Sequence, residues 1–323
     1  MTPATVSARC AFYPRAFVST ALLLCVERGP LEAQSRLCVE SLRTFGGELA
    51  EMPVYAFAPR PGEEPSEATA AALGEMGVTM VAEPLNPDHP DLPHTNKVFA
   101  AAWAEVNVDA DAIVFADSDT VFLAEPAELA AGDWDAAARP VGAVNMGSTG
   151  ADHKNEADWE LLYDELGVSA RPFVETVVSE ERIRAYFNAG LVAFSRASGL
   201  ATAWRDATLT LLGSPVARRA PLRRQIDQLA LGGVLAEPFD RVRILPDTYN
   251  YPLPKRVKLP QRLQALELDD LVHIHGHKWL HLPGFLSEVR PELDTSSERY
   301  RWLDARLPLE PEIEGPFRWA IDR

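Results

Sequence analysis

Cysteine is scarce in this chain: 323 residues contain three, Cys10, Cys25 and Cys38, all near the start and none in a C-x-x-C spacing. That excludes a disulfide framework and a cysteine-built metal cage, and it fits a reducing cytoplasm. Long hydrophobic runs are missing as well. No apolar stretch reaches the roughly 20 residues that cross a bilayer. The run inside RAFVSTALLLCVERG passes straight into Glu27 without a small-x-small cleavage site, so it reads as a first buried strand and not as a targeting segment. Basic charge is in short supply, with 31 Lys and Arg against 47 Asp and Glu and a net charge of -16. Non-specific binding to nucleic acid needs clustered cations, which argues against it here. Any phosphate-bearing ligand must then be held by a few placed groups. Core material is plentiful, 47% hydrophobic residues with 24% charged, enough for one large or two smaller domains.

The apolar residues are arranged as strands alternating with helices. Residues 18–26 (VSTALLLCV) form a bounded apolar run, and GPLEAQSRLCVESLRTFGG then places Cys38, Leu42 and Phe45 at helical spacing before a Gly-Gly stop. MPVYAFAP and VTMVAEP read as further strands, SEATAAALGEMG as a helix, and TNKVFAAAWAEVN as a helix with Val98, Phe99, Ala102, Trp103 and Val106 on one face. This pattern predicts a parallel sheet covered on both sides. Residues 145–185 lack strong periodicity and are expected to be a surface excursion, an acceptor-side insert or lid. Regularity returns with the strand RAYFNAGLVAFSR, a helix carrying Leu200, Trp204, Ala207 and Leu211 on one side, the helix RRQIDQLALGGVL, and the short strands VRILP and LVHIH. No linker or repeat divides the chain, so it reads as one domain, with a tail at 1–17 and an appendage at 282–323.

The strand Ala112–Ala116 runs into Asp117-Ser118-Asp119. In open α/β sheets ligands gather beyond the carboxyl ends of the strands, where this pair falls. Two anions side by side call for a cation between them, and an oxygen-rich site suits Mn²⁺ or Mg²⁺, which also bridge to nucleotide phosphates. Three readings of the pair stand open. It can be a solvated turn, a metal site, or, as DSDTV, the D-x-D-x-[TV] nucleophile loop of haloacid-dehalogenase-type phosphatases. Against the last, that loop usually follows the first strand, and here at least three strands come earlier.

Four further segments follow in order: YFNAGLVAF (186–194), QIDQLAL (225–231), LPDTYNYP (245–252) and HIHGHKW (273–279). With FADSDTVFL they form a series that resembles GT-A-fold glycosyltransferases, in particular glycosyltransferase family 8 and its retaining relatives, over about residues 18–280. The resemblance implies an α/β protein with the GT-A, Rossmann-like mixed sheet of nucleotide-diphospho-sugar transferases. It implies that Asp117, Asp119 and His273 hold Mn²⁺ (or Mg²⁺) on the diphosphate, and that Lys97, Asp117, Ser118, Asn188, Ala189, Gly190, Gly276 and Lys278 bind the donor. GHKW departs from the family, which has two residues between Gly and Lys and a Pro after the Lys. Asn188, Asp227 and Gln228 would carry the chemistry, Gln228 by stabilising an oxocarbenium-like state, since an amide is a poor nucleophile. The end of the first strand, around Val26 and Glu27, should meet the nucleotide base.

The spacing of His273, His275 and His277 on a strand raises separate zinc binding, set against His277 and His281 as partly exposed loop residues. The arginines at 218, 219, 223 and 224 and the group Lys255, Arg256 and Lys258 read as solvated runs, or as sites for an acidic acceptor or a membrane surface. The expected function is transfer of a hexose from UDP-glucose or UDP-galactose to a hydroxyl acceptor (glycan, small molecule or lipid-linked) with retention, in the cytoplasm. The alternatives are the phosphatase and a nucleotide-sugar-binding protein without transfer.

Overall fold

The computed structural model describes residues 19–310. The strands are β1 (Thr20–Cys25), β2 (Val54–Phe57), β3 (Val78–Val81), β4 (Ala112–Ala116), β5 (Thr120–Phe122), β6 (Ala136–Pro140), β7 (Phe173–Glu175), β8 (Arg182–Arg184), β9 (Phe187–Ser195), β10 (Val242–Ile244), β11 (Tyr251–Pro252) and β12 (His273–His275). The helices used below are α1 (Pro30–Phe45), α2 (Glu67–Glu75), α3 (Asn96–Asn107), α4 (Glu156–Leu166), α5 (Leu200–Gly213), α6 (Ala220–Arg223) and α7 (Ile226–Ala236). The tail expected at 1–17 and the final residues 311–323 lie outside the described range.

The main sheet has the order β10-β6-β9-β4-β1-β2-β3. It is mixed, because β9 runs antiparallel to both β4 and β6 while the other pairs are parallel. Strand period fixes its two faces. Ala21 and Leu23 of β1 join Ile113 and Phe115 of β4 in one core, with Trp159, Trp204 and Leu229 from α4, α5 and α7. Leu22 and Leu24 join Ala112, Val114 and Ala116 in the other, with Cys38 and Leu42 of α1 and Leu73 of α2. The central strands bury both faces, which is why they read as unbroken apolar runs.

Two expectations change. On α3 the buried stripe runs through Val98, Ala101 and Ala104, and Val106 is 70% exposed. The small alanines let α5 approach, and Glu105 accepts the Ala201 and Thr202 amides at 3.0 and 2.8 Å, capping the start of α5. Residues 145–185 form α4 and the β7–β8 hairpin, and Trp159, Leu162 and Tyr163 lie in the main core, so α4 is packed into the body and does not stand off from it.

After Asp119 the chain leaves the main sheet. β5 pairs antiparallel with β12, which pairs parallel with β11, forming a small sheet over a third core that includes Val121, Ile274, Trp279 and Leu280. Among the described residues no helix is long and apolar enough to cross a membrane. Cys25 and Cys38 are free thiols.

Trp204 is wholly buried, and its indole donates to the Asp227 carbonyl at 2.7 Å, tying α5 to the first turn of α7. Trp204→Ala is expected to lower unfolding stability by about 3–5 kcal/mol in a urea titration, from lost burial and the cavity left behind. A loss under about 1 kcal/mol would show that this contact does not hold α7 in place.

Candidate active site

The acidic pair splits between two partners. Asp117 turns to Lys97, whose Nζ lies 2.7 Å from Asp117 Oδ1, 3.4 Å from the Ala189 carbonyl and 3.9 Å from Asp227 Oδ2. The Lys97 side chain is 11% exposed. Burial works against its charge, but Asp117 and Asp227 outweigh burial and hold its pKa above the ordinary lysine value. Lys97 is therefore a fixed cation between two acids. Burial pushes the Asp227 carboxyl up, and Lys97, more distant from it than from Asp117, only partly offsets this.

Asp119 turns the other way. Its Oδ2 lies 2.9 Å from His277 Nδ1 and 3.4 Å from His275 Nε2. These three residues offer ligand atoms within 4.8 Å of one another. Burial raises the Asp119 carboxyl, and the two imidazoles more than reverse this, leaving it well below the usual carboxylate range. Asp119 Oδ1 is buried and has no hydrogen-bond partner among the described residues.

Strand register decides which histidines reach Asp119. β12 pairs with β5 so that His275 sits opposite Thr120, one residue from Asp119, while His273 sits opposite Phe122, two places deeper. His273 is wholly buried, its ring 4.7 Å from the Phe122 ring, and burial pushes its pKa down to about 3, so it stays neutral. The cluster therefore gathers His275 and His277, and His273 stands outside it. His277 follows β12 with a left-handed φ of 53° and brings its ring 3.8 Å from that of His275. The Asp119 carbonyl accepts the Gly276 and His277 amides at 3.0 and 3.3 Å, fastening this turn. His277 is exposed, as expected, yet faces Asp119; His281 is buried, with Nδ1 3.2 Å from the Leu309 carbonyl, and is no loop residue.

The N-A-G segment at the start of β9 lies against the same acids. A Cβ on Gly190 would fall 2.7 Å from Asp117 Oδ2 and 2.9 Å from Asn188 Oδ1, so any larger residue here would push one of these two side chains aside. Asn188 Oδ1 accepts from Gly190 N at 2.7 Å and Asn250 Nδ2 at 2.9 Å, which leaves its amide NH₂ for other partners. Gln228 Oε1 accepts from Ala189 N at 3.3 Å. Asn250, in the LPDTYNYP segment, is a site residue that sequence reasoning left without a role; its carbonyl is held by the buried Arg139 at 2.8 Å.

The other residues expected at the donor sit as follows. The Ser118 hydroxyl donates to the Cys25 carbonyl, tying the loop to the end of β1. A Cβ on Gly276 would meet the Leu280 side chain at 2.6 Å, so a larger residue here would displace that leucine. Lys278 is exposed, with Nζ 5.5 Å from the Trp279 ring centroid. Glu27 is buried and its carboxylate is filled by Arg60 at 2.7 Å and Asn96 at 2.8 Å. Next to Gln228 opens a cleft of about 380 Å³, lined by His94, Met146, Tyr186, Arg224 and Gln225 among others.

Over residues 22–237 the sequence matches the family described as the Rhodobacterales glycosyltransferase domain. The chain belongs to this family. It is a glycosyltransferase, and the phosphatase alternative falls. Among solved structures the fold is similar to that of the galactosyltransferase LgtC in complex with donor and acceptor sugar analogs, with a TM-score of 0.52 and 15% identity over 93% of this chain and 98% of that one. It is also similar to the glycosyltransferase GlyE of Streptococcus pneumoniae TIGR4, with a TM-score of 0.50 and 15% identity over 94% of this chain and 62% of that one. At such identities the likeness is one of fold, the GT-A mixed sheet. The chain spans about half, 48%, of the bifunctional glycosyltransferase WbbM. No curated protein sequence matches.

Lys97→Met leaves Asp117 and Asp227 without their cation. A broken buried ion pair costs about 3–5 kcal/mol, and that loss is expected in urea melts at pH 8. Without the cation the Asp227 carboxyl, already raised by burial, rises further above its unfolded value, so the folded form takes up a proton and part of the loss returns as pH falls toward 5. An equal loss at both pH values would show that the lysine acts only by filling space.

Proposed function

We propose that this glycosyltransferase moves a hexose from a UDP-sugar, UDP-glucose or UDP-galactose, to a hydroxyl acceptor with retention of configuration, and that Asp119, His275 and His277 hold the divalent cation it uses. The observation that carries this reading is the convergence of one carboxylate and two imidazoles at the end of β4, beside the Lys97–Asp117–Asp227 cluster. The residues fit such an ion. Asp119 Oδ1 is buried with no hydrogen-bond partner among the described residues, and a carboxylate with two imidazoles is a donor set that suits Mn²⁺ and, less well, Mg²⁺. His275 thus takes the place that the resemblance gave to His273. When bound, the ion supplies charge neutralisation for a diphosphate leaving group.

The chain's own residues divide the remaining tasks. Lys97 stays protonated and holds Asp117 at the end of β4, within reach of the donor. Lys278, on the exposed turn after His277, places a cation where the leaving diphosphate gathers charge. Asn188 presents its NH₂ toward sugar hydroxyls, because its oxygen is already taken twice. Gln228 lines the cleft with its oxygen committed to Ala189, and it stabilises positive charge on the sugar without attacking it.

A thermal-shift panel of UDP, GDP, ADP and dTDP, each with Mn²⁺ and with EDTA, tests the donor site. UDP with Mn²⁺ at about 100 times its Kd is expected to stabilise the protein by about 2.7 kcal/mol, and EDTA to remove the gain. Asp119→Ala and His275→Ala should lose the Mn²⁺-dependent part, whereas His273→Gln keeps it on a lower baseline. Loss with His273→Gln and retention with His275→Ala would reverse the ligand assignment.

A further inference from the structure

Arg218, Arg219, Arg223 and Arg224 form the densest basic stretch of an acidic chain. The structure separates them by partner. Arg219 pairs with Asp158, and Arg223 Nη1 lies 2.9 Å from Asp91 Oδ2. The side chains of Arg218 and Arg224 have no ion-pair partner among the described residues, and both are exposed. Of the four, only Arg224 lines the cleft of about 380 Å³ beside Gln228. A membrane surface would need several unmatched cations facing together, and here two of the four are matched by the chain's own acids.

The cleft is mostly polar: Gln228, Gln225, His94 and Asn145 offer hydrogen-bonding groups beside Met146, Pro221 and Tyr186, as a hydroxyl-rich ligand needs, and its volume is in the usual range for small-ligand sites. Neither Asp117 nor Asp119, His275 or His277 lines it. It shares with the donor machinery only Gln228, the residue after Asp227. Arg224 lies two residues before α7 and so sits on the segment that leads into the turn bearing Gln228. On a protein of net charge -16, a guanidinium left unmatched at the mouth of a polar cleft is a local exception to a field that repels anions. Its planar fork suits a carboxylate or a phosphate.

We propose that this cleft is the acceptor subsite and that the acceptor carries an anionic group, a carboxylate or a phosphate, which Arg224 binds while the reacting hydroxyl lies beside Gln228. The proposal rests on the transferase reading given above and adds the acceptor's chemical class to it.

Binding of three probes that differ in one substituent provides the test: methyl glucoside, methyl glucuronide and methyl glucoside 6-phosphate, followed by saturation-transfer NMR with wild type, Arg224→Gln and Arg218→Gln. The charged probes are expected to bind wild type about tenfold more tightly than the neutral one. Arg224→Gln should remove this preference, and Arg218→Gln, outside the cleft lining, should keep it. Whichever charged probe binds more tightly identifies the source of the anion, uronate or phosphate. No preference for the charged probes in wild type, a preference that survives Arg224→Gln, or one lost equally in Arg218→Gln would overturn the proposal. UDP binding, followed separately on the same samples, reports on the donor reading alone.

Discussion

Two carboxylates one residue apart at the end of a buried strand cannot be left to face each other, and much of the structure is arranged around how each is neutralised. Asp117 takes a lysine from the helix before β4, and Asp119 takes imidazoles from a segment more than a hundred residues later. The first pairing is local to the main sheet. The second requires the chain to return, and the small β11-β12-β5 sheet is the device that returns it. Its register matters more than its length, because a two-place slip along β12 would exchange His275 for His273 at the strand end.

The division gives the site two sides, one from the main sheet and one from the small sheet. Lys97, Asp117, Asn188 and Gly190 are held by β4, β9 and α3, all anchored in the main cores. Asn250 spans the two sides, donating to Asn188 from the segment that leads into β11. His277 and Lys278 sit on the turn that follows β12, fastened to the backbone of Asp119 and resting on the third core through Trp279 and Leu280.

The alternating apolar runs, read at period two and period 3.6, were enough for a helix-covered sheet and for the strand that runs into Asp117, because burial on both faces leaves an unbroken signal; they predicted a parallel sheet, and the antiparallel β9 that makes it mixed was implied only by the resemblance. The helix within residues 145–185 was not legible for a physical reason: α4 buries Trp159, Leu162 and Tyr163 on a narrow stripe flanked by acids, and composition hides so short a stripe. The histidines were legible as residue types but not as geometry. The resemblance pointed to His273, while the choice between it and His275 depends on pairing with β5, a long-range register that no local pattern encodes. The same holds for Asn250 and Glu27, whose partners lie 62 residues away at Asn188 and 69 residues away at Asn96.

The central claim is that Asp119 with His275 and His277 holds a divalent ion in contact with the donor's diphosphate. Pulsed electron paramagnetic resonance of the protein with Mn²⁺ and UDP tests it directly. The account predicts nitrogen couplings from coordinated imidazole together with phosphorus couplings in one spectrum, the nitrogen signal weakening in His275→Ala and persisting in His273→Gln. Phosphorus coupling without nitrogen, or nitrogen coupling that disappears only with His273, would contradict it.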